Sequence, residues 1–137
     1  MEMTIEHIAI WVKDLETMKD FYERYFYAQA GERYDNEAKS FKSYFLSFSD
    51  SSTRLELMHQ AVIEESRADR SRSIGLTHLA VGVETRAEVM RLTELLRSEG
   101  YPVIGEARLT GDGYFESVIA DPEGNCIEIC CKGQHAG

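Results

Sequence analysis

His7-Ile8-Ala9-Ile10-Trp11-Val12 and His78-Leu79-Ala80-Val81-Gly82-Val83 are two versions of one phrase, 71 positions apart. Each opens on a histidine, alternates bulky and small residues, and leads into a segment of helical periodicity. A second echo follows: Arg54-Leu55-Glu56-Leu57-Met58 matches Cys126-Ile127-Glu128-Ile129-Cys130 at a spacing of 72. A fixed internal spacing is the mark of a repeated structural unit. The order His strand, helix, Glu strand therefore occurs twice. The chain reads as module 1 at about 1–62, a linker at about 63–73, module 2 at about 74–133 and a tail at 134–137. Modules of this size are each marginal alone, so the two are expected to share one core as a single domain.

The segments between these phrases fill in the elements. Asp14 is placed to cap a helix whose Leu15, Met18, Phe21, Tyr22, Tyr25 and Phe26 recur at i, i+3 and i+4. Thr85-Arg86-Ala87-Glu88 has the form of a capping box ahead of Val89, Leu92, Leu95 and Leu96, and Gly100 with Pro102 beyond it marks the stop. Strands are expected at 4–12, 41–49, 53–60, 77–84, 114–120 and 125–131, with weaker ones near 29–35 and 102–109. Asp121-Pro122-Glu123-Gly124 is a turn that joins two of these as a hairpin. Each half then reads β-α-β-β-β, an α+β fold of two tandem modules whose curved mixed sheets surround a cleft.

Period-2 geometry points to where chemistry sits. Ile8, Ile10 and Val12 share one face of their strand and His7, Ala9 and Trp11 the other. Leu79, Val81 and Val83 pack, leaving His78, Ala80 and Gly82 opposite. Leu55 and Leu57 pack while Arg54, Glu56 and Met58 face away, and Ile127 and Ile129 pack while Cys126, Glu128 and Cys130 face away. Four strands thus present one ionisable residue each on the face turned from the helices, among small neighbours that suit a pocket better than a solvated surface. Two imidazoles and two carboxylates are borderline to hard donors whose charge of about −2 balances a divalent first-row metal ion.

Composition agrees with a small-molecule function. The 137 residues carry 24 acidic and 15 basic side chains, a formal charge of −9. That field does not attract phosphate backbones or anionic membranes, so no nucleic-acid or membrane partner is expected. The longest apolar run, Ile8 to Val12, is far below the roughly 20 residues of a spanning helix. The N-terminus lacks the basic and apolar regions of a secretory signal, and Cys126, Cys130 and Cys131 have no distant cysteine to pair with, so a cytoplasmic location is expected. Cys131 is expected in the core and Cys130 on the pocket face.

The opening Ile-x-His-Ile-Ala-Ile-x-Val, the midpoint Thr-His-Leu-Ala-Val-x-Val and the closing Asp-Pro-x-Gly-Asn-x-Ile-Glu-Ile resemble the glyoxalase/bleomycin-resistance/dioxygenase group, the vicinal oxygen chelate superfamily. The resemblance spans about 4–131. It implies a metal site formed by His7, Glu56, His78 and Glu128, a set similar to that of glyoxalase I. It also implies one divalent Ni, Co or Zn ion per site and a homodimer. The implied reaction is glyoxalase-type isomerisation of a small α-oxo or hemithioacetal substrate. There a metal-polarised carbonyl acidifies its neighbouring C–H, Glu128 or Glu56 moves the proton, and an enediolate is stabilised. Epimerases and other thiol-conjugate enzymes share the scaffold, as do non-catalytic bleomycin-resistance-like binding proteins.

Two departures bear on substrate. Glutathione-using glyoxalases carry Arg four residues after the first His and tend to have Asn four after the first Glu; this chain has Trp11 and Gln60. Trp11 offers an apolar or stacking wall, or else fills core. Arg54 faces the pocket and is placed to pair with an anionic substrate, with a ligand carboxylate, or in a surface salt bridge. Tyr114 and Phe115, after Gly111-Asp112-Gly113, sit where a loop closes over a ligand or are ordinary strand residues. His59, on the packing face, and His135, in the tail, are left out of the site.

Overall fold

The computed structural model describes residues 1–132; the tail, with His135, lies outside the described residues. The chain divides into two units, one running from Met1 to Ser66 and the other starting at Arg67.

In the first unit the apolar stripe of α1 (Leu15–Phe26) buries Leu15, Met18, Phe21, Tyr22, Tyr25 and Phe26. Asp14 starts the helix by accepting a hydrogen bond from the Thr17 amide at 3.0 Å, and Tyr27 ends it in the left-handed conformation at φ 55°. This stripe packs on a sheet built from β1 (His7–Trp11), β2 (Gln29–Ala30), β3 (Tyr34–Asn36), β4 (Phe41–Ser47) and β5 (Arg54–Gln60). The strand order is β1-β5-β4-β2, with β3 also pairing with β4. β1 runs parallel to β5 and the other pairs are antiparallel. Leu46, Leu55 and Leu57, all on the helix face, are almost wholly removed from water, each burial favouring the fold by about 1.5–3 kcal/mol.

Two expected strands are altered here. The one near 29–35 is divided into β2 and β3, because Gly31 has no side chain to pack and Arg33 turns to Glu16 and Asp35. The one at 4–12 begins regular pairing only at His7. Ahead of it, the Ile5 and Glu6 carbonyls accept from the Thr53 hydroxyl and the Arg54 amide.

The second unit repeats the plan with β6 (His78–Gly82), α2 (Arg86–Ser98), β7 (Val103–Leu109), β8 (Tyr114–Ala120) and β9 (Cys126–Lys132), in sheet order β6-β9-β8-β7. Again the His strand and the Glu strand are parallel neighbours. Val89, Leu92 and Leu96 from α2 and Ile119, Ile127 and Ile129 from the sheet form its core. The Thr93 and Ser117 hydroxyls satisfy each other within it at 2.7 Å. Asp121, buried at the hairpin between β8 and β9, accepts from the Glu123 and Asn125 amides through Oδ1 and from the Asn125 side chain through Oδ2. Gly124 supplies the positive φ of 83° that this turn needs. The linker contains a 3-10 turn, Arg70–Arg72, capped by Asp69.

Thr85 caps α2 by accepting from the Glu88 amide at 3.1 Å, while the Glu88 carboxylate pairs with Arg91. The box is therefore closed on its threonine side. Thr85→Ala is expected to cost about 1 kcal/mol, the usual value of such a cap, read from urea denaturation followed by circular dichroism. Glu88→Ala is expected to cost less, because its amide donor survives.

Candidate metal centre

Ladder register dictates what meets on the face turned from the helices. In the first unit Ala9 stands opposite Glu56 and His7 opposite Arg54. The methyl group of Ala9 leaves room for the Glu56 carboxylate to reach diagonally to His7, and His7 Nε2 lies 3.6 Å from Glu56 Oε1. In the second unit Ala80 stands opposite Glu128 and His78 opposite Cys126, and His78 Nε2 lies 3.1 Å from Glu128 Oε2. Each unit thus builds the same pair from the same register. The carboxylates are the more sheltered partners, at 14% and 21% exposure against 39% for each imidazole.

The surroundings of the two pairs differ. His7 Nδ1 is 2.9 Å from Glu6 Oε1, and Glu6 is gripped by Arg54 through Nε at 3.2 Å and a second nitrogen at 2.6 Å. The Arg54 hydrogen bond, followed by that to His7, holds the Glu6 carboxyl below its ordinary range. A carboxylate on the far ring nitrogen is the usual support of a metal-binding imidazole, since it fixes the tautomer and aims Nε2. Phe45 stands edge-on to the His7 ring at 5.1 Å, and the Arg54 guanidinium lies 4.0 Å from the Phe45 centroid.

In the second unit the neighbour of interest is Glu116. Val118 stands opposite Glu128 and Glu116 opposite Cys130, so Glu116 is the diagonal neighbour of Glu128 on one face. Burial, then the nearby charge of Glu128, push the Glu116 carboxyl above its ordinary value. The corresponding place in the first unit, opposite Met58, is taken by Ser43. Burial, with Glu116 and Glu128 adding to it, also raises the Cys130 thiol, which keeps it protonated and poorly nucleophilic. Cys131 is buried on the helix face.

The substrate candidates fall out as follows. Trp11 is 44% exposed, on the face of His7 and Glu56, so it is not core filler. It stands edge-on to Phe41 at 6.1 Å, and Phe41 meets Tyr34 at 6.1 Å. Arg54 is committed to Glu6 and Phe45. Gln60 donates to the Lys39 carbonyl at 2.8 Å. Tyr114 is exposed on the Glu116 face, with its amide bonded to the Thr110 hydroxyl. Phe115 points the other way, its ring 5.1 Å from the Arg86 guanidinium at the start of α2; the alternation of β8 removes it from any closing loop. His59, on the helix face, bonds the Val12 carbonyl through Nδ1 at 2.9 Å.

A depression of about 460 Å³ opens beside the start of α1, lined by Lys13, Asp14, Leu15, Glu16, Arg33, Lys42 and His59. It lies on the helix side of the sheet, away from His7 and Glu56. Arg33 there is spent on Glu16 and Asp35, and Lys13 on Glu65.

The donors fit a divalent ion in kind. Each pair offers one imidazole nitrogen beside one carboxylate oxygen, donors of the borderline-to-hard kind that a first-row divalent ion takes. They occur as pairs: among the described residues no three His, Cys, Asp or Glu side chains are grouped to hold a metal ion. Nor is any helix among them long and apolar enough to cross a membrane.

Comparison with known proteins agrees with this architecture. Residues 4–129 match the family model of the Glyoxalase/Bleomycin resistance protein/Dioxygenase superfamily. The uncharacterised protein YqjT of Bacillus subtilis (strain 168) is 27% identical over 134 residues, covering 91% of this chain and 96% of its own length. Among solved structures, the trypanothione-dependent glyoxalase I of Leishmania major superposes with a TM-score of 0.75 at 25% identity, over 93% of this chain and 86% of that one. A glyoxalase/bleomycin resistance/dioxygenase domain from Frankia sp. EAN1pec reaches 0.82 at 16% identity, over 98% and 95%; that likeness is one of fold.

Proposed function

We propose that this chain, which belongs to the Glyoxalase/Bleomycin resistance protein/Dioxygenase superfamily, is a metal-dependent isomerase of the glyoxalase type. Its substrate is a small α-oxo compound or a hemithioacetal of a 2-oxoaldehyde and a thiol. The observation that carries this reading is the repeated pair, an imidazole Nε2 facing a carboxylate oxygen at 3.6 Å in one unit and 3.1 Å in the other. The ligand set is His7, Glu56, His78 and Glu128. A bound Ni²⁺, Co²⁺ or Zn²⁺ would polarise the substrate's adjacent oxygens and acidify the intervening C–H.

The chain's own groups do the rest. A carboxylate oxygen of Glu128 takes the proton from the carbon beside the carbonyl and returns it to the neighbouring carbon. Glu56 suits the anchoring role better, because its partner imidazole is fixed from behind by Glu6 and Arg54. Glu128 takes the base role on the family resemblance. On the first unit's face, Trp11 and Phe41 offer stacking surface, and Arg54 is already neutralised by Glu6. This favours a substrate whose carrier end is apolar or aromatic over one that needs a carboxylate clamp. Reactions of other thiol conjugates, and epimerisation, use the same proton transfer. A homodimer belongs to the proposal on the family resemblance alone.

Elemental analysis decides the central point. Protein produced in metal-supplemented medium is expected to hold one divalent ion per ligand set; chelation is expected to abolish turnover, and Ni²⁺, Co²⁺ or Zn²⁺ to restore it. Protein that retains no stoichiometric ion under these conditions would instead be a small-molecule-binding member of the superfamily.

A further inference from the structure

The residues that hold the His7 ring have no counterparts around His78. Glu6 Oε1 lies 2.9 Å from His7 Nδ1. Arg54 engages both oxygens of the same carboxylate, through Nε to Oε2 at 3.2 Å and through Nη2 to Oε1 at 2.6 Å. Its guanidinium also covers the Phe45 ring at 4.0 Å, and Phe45 stands edge-on to the imidazole at 5.1 Å. In the second unit the matching places are taken by Thr77, one residue before His78, by Cys126, opposite His78, and by Val118, which stands to Glu128 as Phe45 does to Glu56. None of these is a carboxylate, a guanidinium or an aromatic ring, so repetition of the fold does not require the arrangement. Nor does stability account for it: Glu6 is 60% exposed and Arg54 37%, and ion pairs so placed add little to a fold.

A carboxylate gripped by a guanidinium is ionised and only accepts hydrogen bonds, so His7 Nδ1 carries the hydrogen of this contact. The lone pair of the neutral ring then sits on Nε2, the nitrogen that faces Glu56 Oε1 at 3.6 Å. A lone pair and a carboxylate oxygen repel each other, whereas both attract a shared cation. We propose that Glu6, anchored by Arg54, is a positioning residue that fixes His7 in the Nδ1–H tautomer with its Nε2 lone pair toward Glu56, making the first pair the preset half of the ligand set. Arg54 thereby serves a metal ligand, not the substrate. The bearing on metal affinity rests on the metalloenzyme reading above; the tautomer does not.

Two variants test this. Glu6→Ala removes the acceptor, while Glu6→Gln gives up the charge but keeps an oxygen that accepts from Nδ1–H. Long-range ¹⁵N–¹H spectra of the metal-free proteins, taken in alkaline buffer where free imidazole is neutral, distinguish the two tautomers. His7 is expected to show the Nδ1–H pattern in the parent and in Glu6→Gln and to lose it in Glu6→Ala, with the His78 signals unmoved throughout. Arg54→Met, which frees Glu6 to turn to water, is expected to move the His7 signals in the same direction as Glu6→Ala and by less. An Nε2–H pattern for His7 in the parent overturns the proposal, and so does an unchanged His7 in Glu6→Ala.

Zn²⁺ titrated into the same metal-free proteins reads the consequence. Glu6→Ala is expected to bind about 10–100-fold more weakly than the parent, the usual effect of losing a group that orients a ligand, and Glu6→Gln to stay near the parent. Parental affinity in Glu6→Ala overturns the preset role even where the tautomer has changed, and equal weakening in both variants overturns it too, because the effect would then be one of charge. A parent that binds no Zn²⁺ brings down the metalloenzyme reading instead, and the His7 spectra still decide whether Glu6 fixes the ring.

Discussion

Glu128→Gln is expected to lower turnover of a hemithioacetal substrate by about 10²–10⁴-fold while leaving the bound metal in place. The amide is close in size to the carboxylate and keeps an oxygen to face the ion and His78 Nε2, so the ligand position is preserved. What it loses is basicity. An amide oxygen does not take a proton from carbon at neutral pH, and the loss corresponds to about 3–5 kcal/mol of barrier. Initial rates of thioester formation, paired with elemental analysis of the same preparation, give both quantities. Glu56→Gln is the necessary comparison: with Glu56 as an anchoring ligand, its replacement should cost metal affinity before it costs the rate of fully loaded enzyme. If Glu128→Gln turned over like the parent while Glu56→Gln did not, the base would be Glu56, and the brace on His7 would be supporting the reactive pair.

Alternation along four strands made the two pairs legible in the sequence. Glu56 and Glu128 each sit between residues that commit the strand to one face, Leu55 and Leu57 or Ile127 and Ile129, while His7 and His78 open strands whose Ile8 and Ile10 or Leu79 and Val81 mark the other face. Glu6 was hidden for a geometric reason. By alternation it belongs on the face opposite His7, but β1 starts at His7, so the residue before it is outside the strand and is free to bond back to the imidazole. Glu116 was hidden by a polar residue in the core. Tyr114-Phe115-Glu116-Ser117-Val118 shows no clean alternation because Ser117, on the helix face, is a hydroxyl buried against Thr93. With Ser117 recognised as a core residue, Tyr114, Glu116 and Val118 fall on one face, which also sends Phe115 to the other side. The commitments of Arg54 and Gln60 were unreadable in another sense: each depends on a partner far along the chain, Glu6 and the Lys39 carbonyl, and register alone brings these together.

The second large effect tests the face assignment itself. Leu57→Ala is expected to destabilise the protein by about 2–5 kcal/mol, because Leu57 is wholly buried and its truncation leaves a cavity that close-packed neighbours fill only in part. Met58, one residue on, points to the open face beside Trp11 and opposite Ser43. It keeps some exposure, and a flexible side chain at such a site gives up less packing when cut back. Met58→Ala should therefore cost clearly less than Leu57→Ala in urea unfolding monitored by circular dichroism. The same contrast is expected in the second unit between Ile129, fully buried, and Cys130, which faces Glu116. A one-residue slip of β5 against β4 would exchange these roles, because every side chain of the strand would change face, and it would carry Glu56 away from His7. Equal losses at Leu57 and Met58 would thus count against the metal centre as well as the fold, since both rest on the same register.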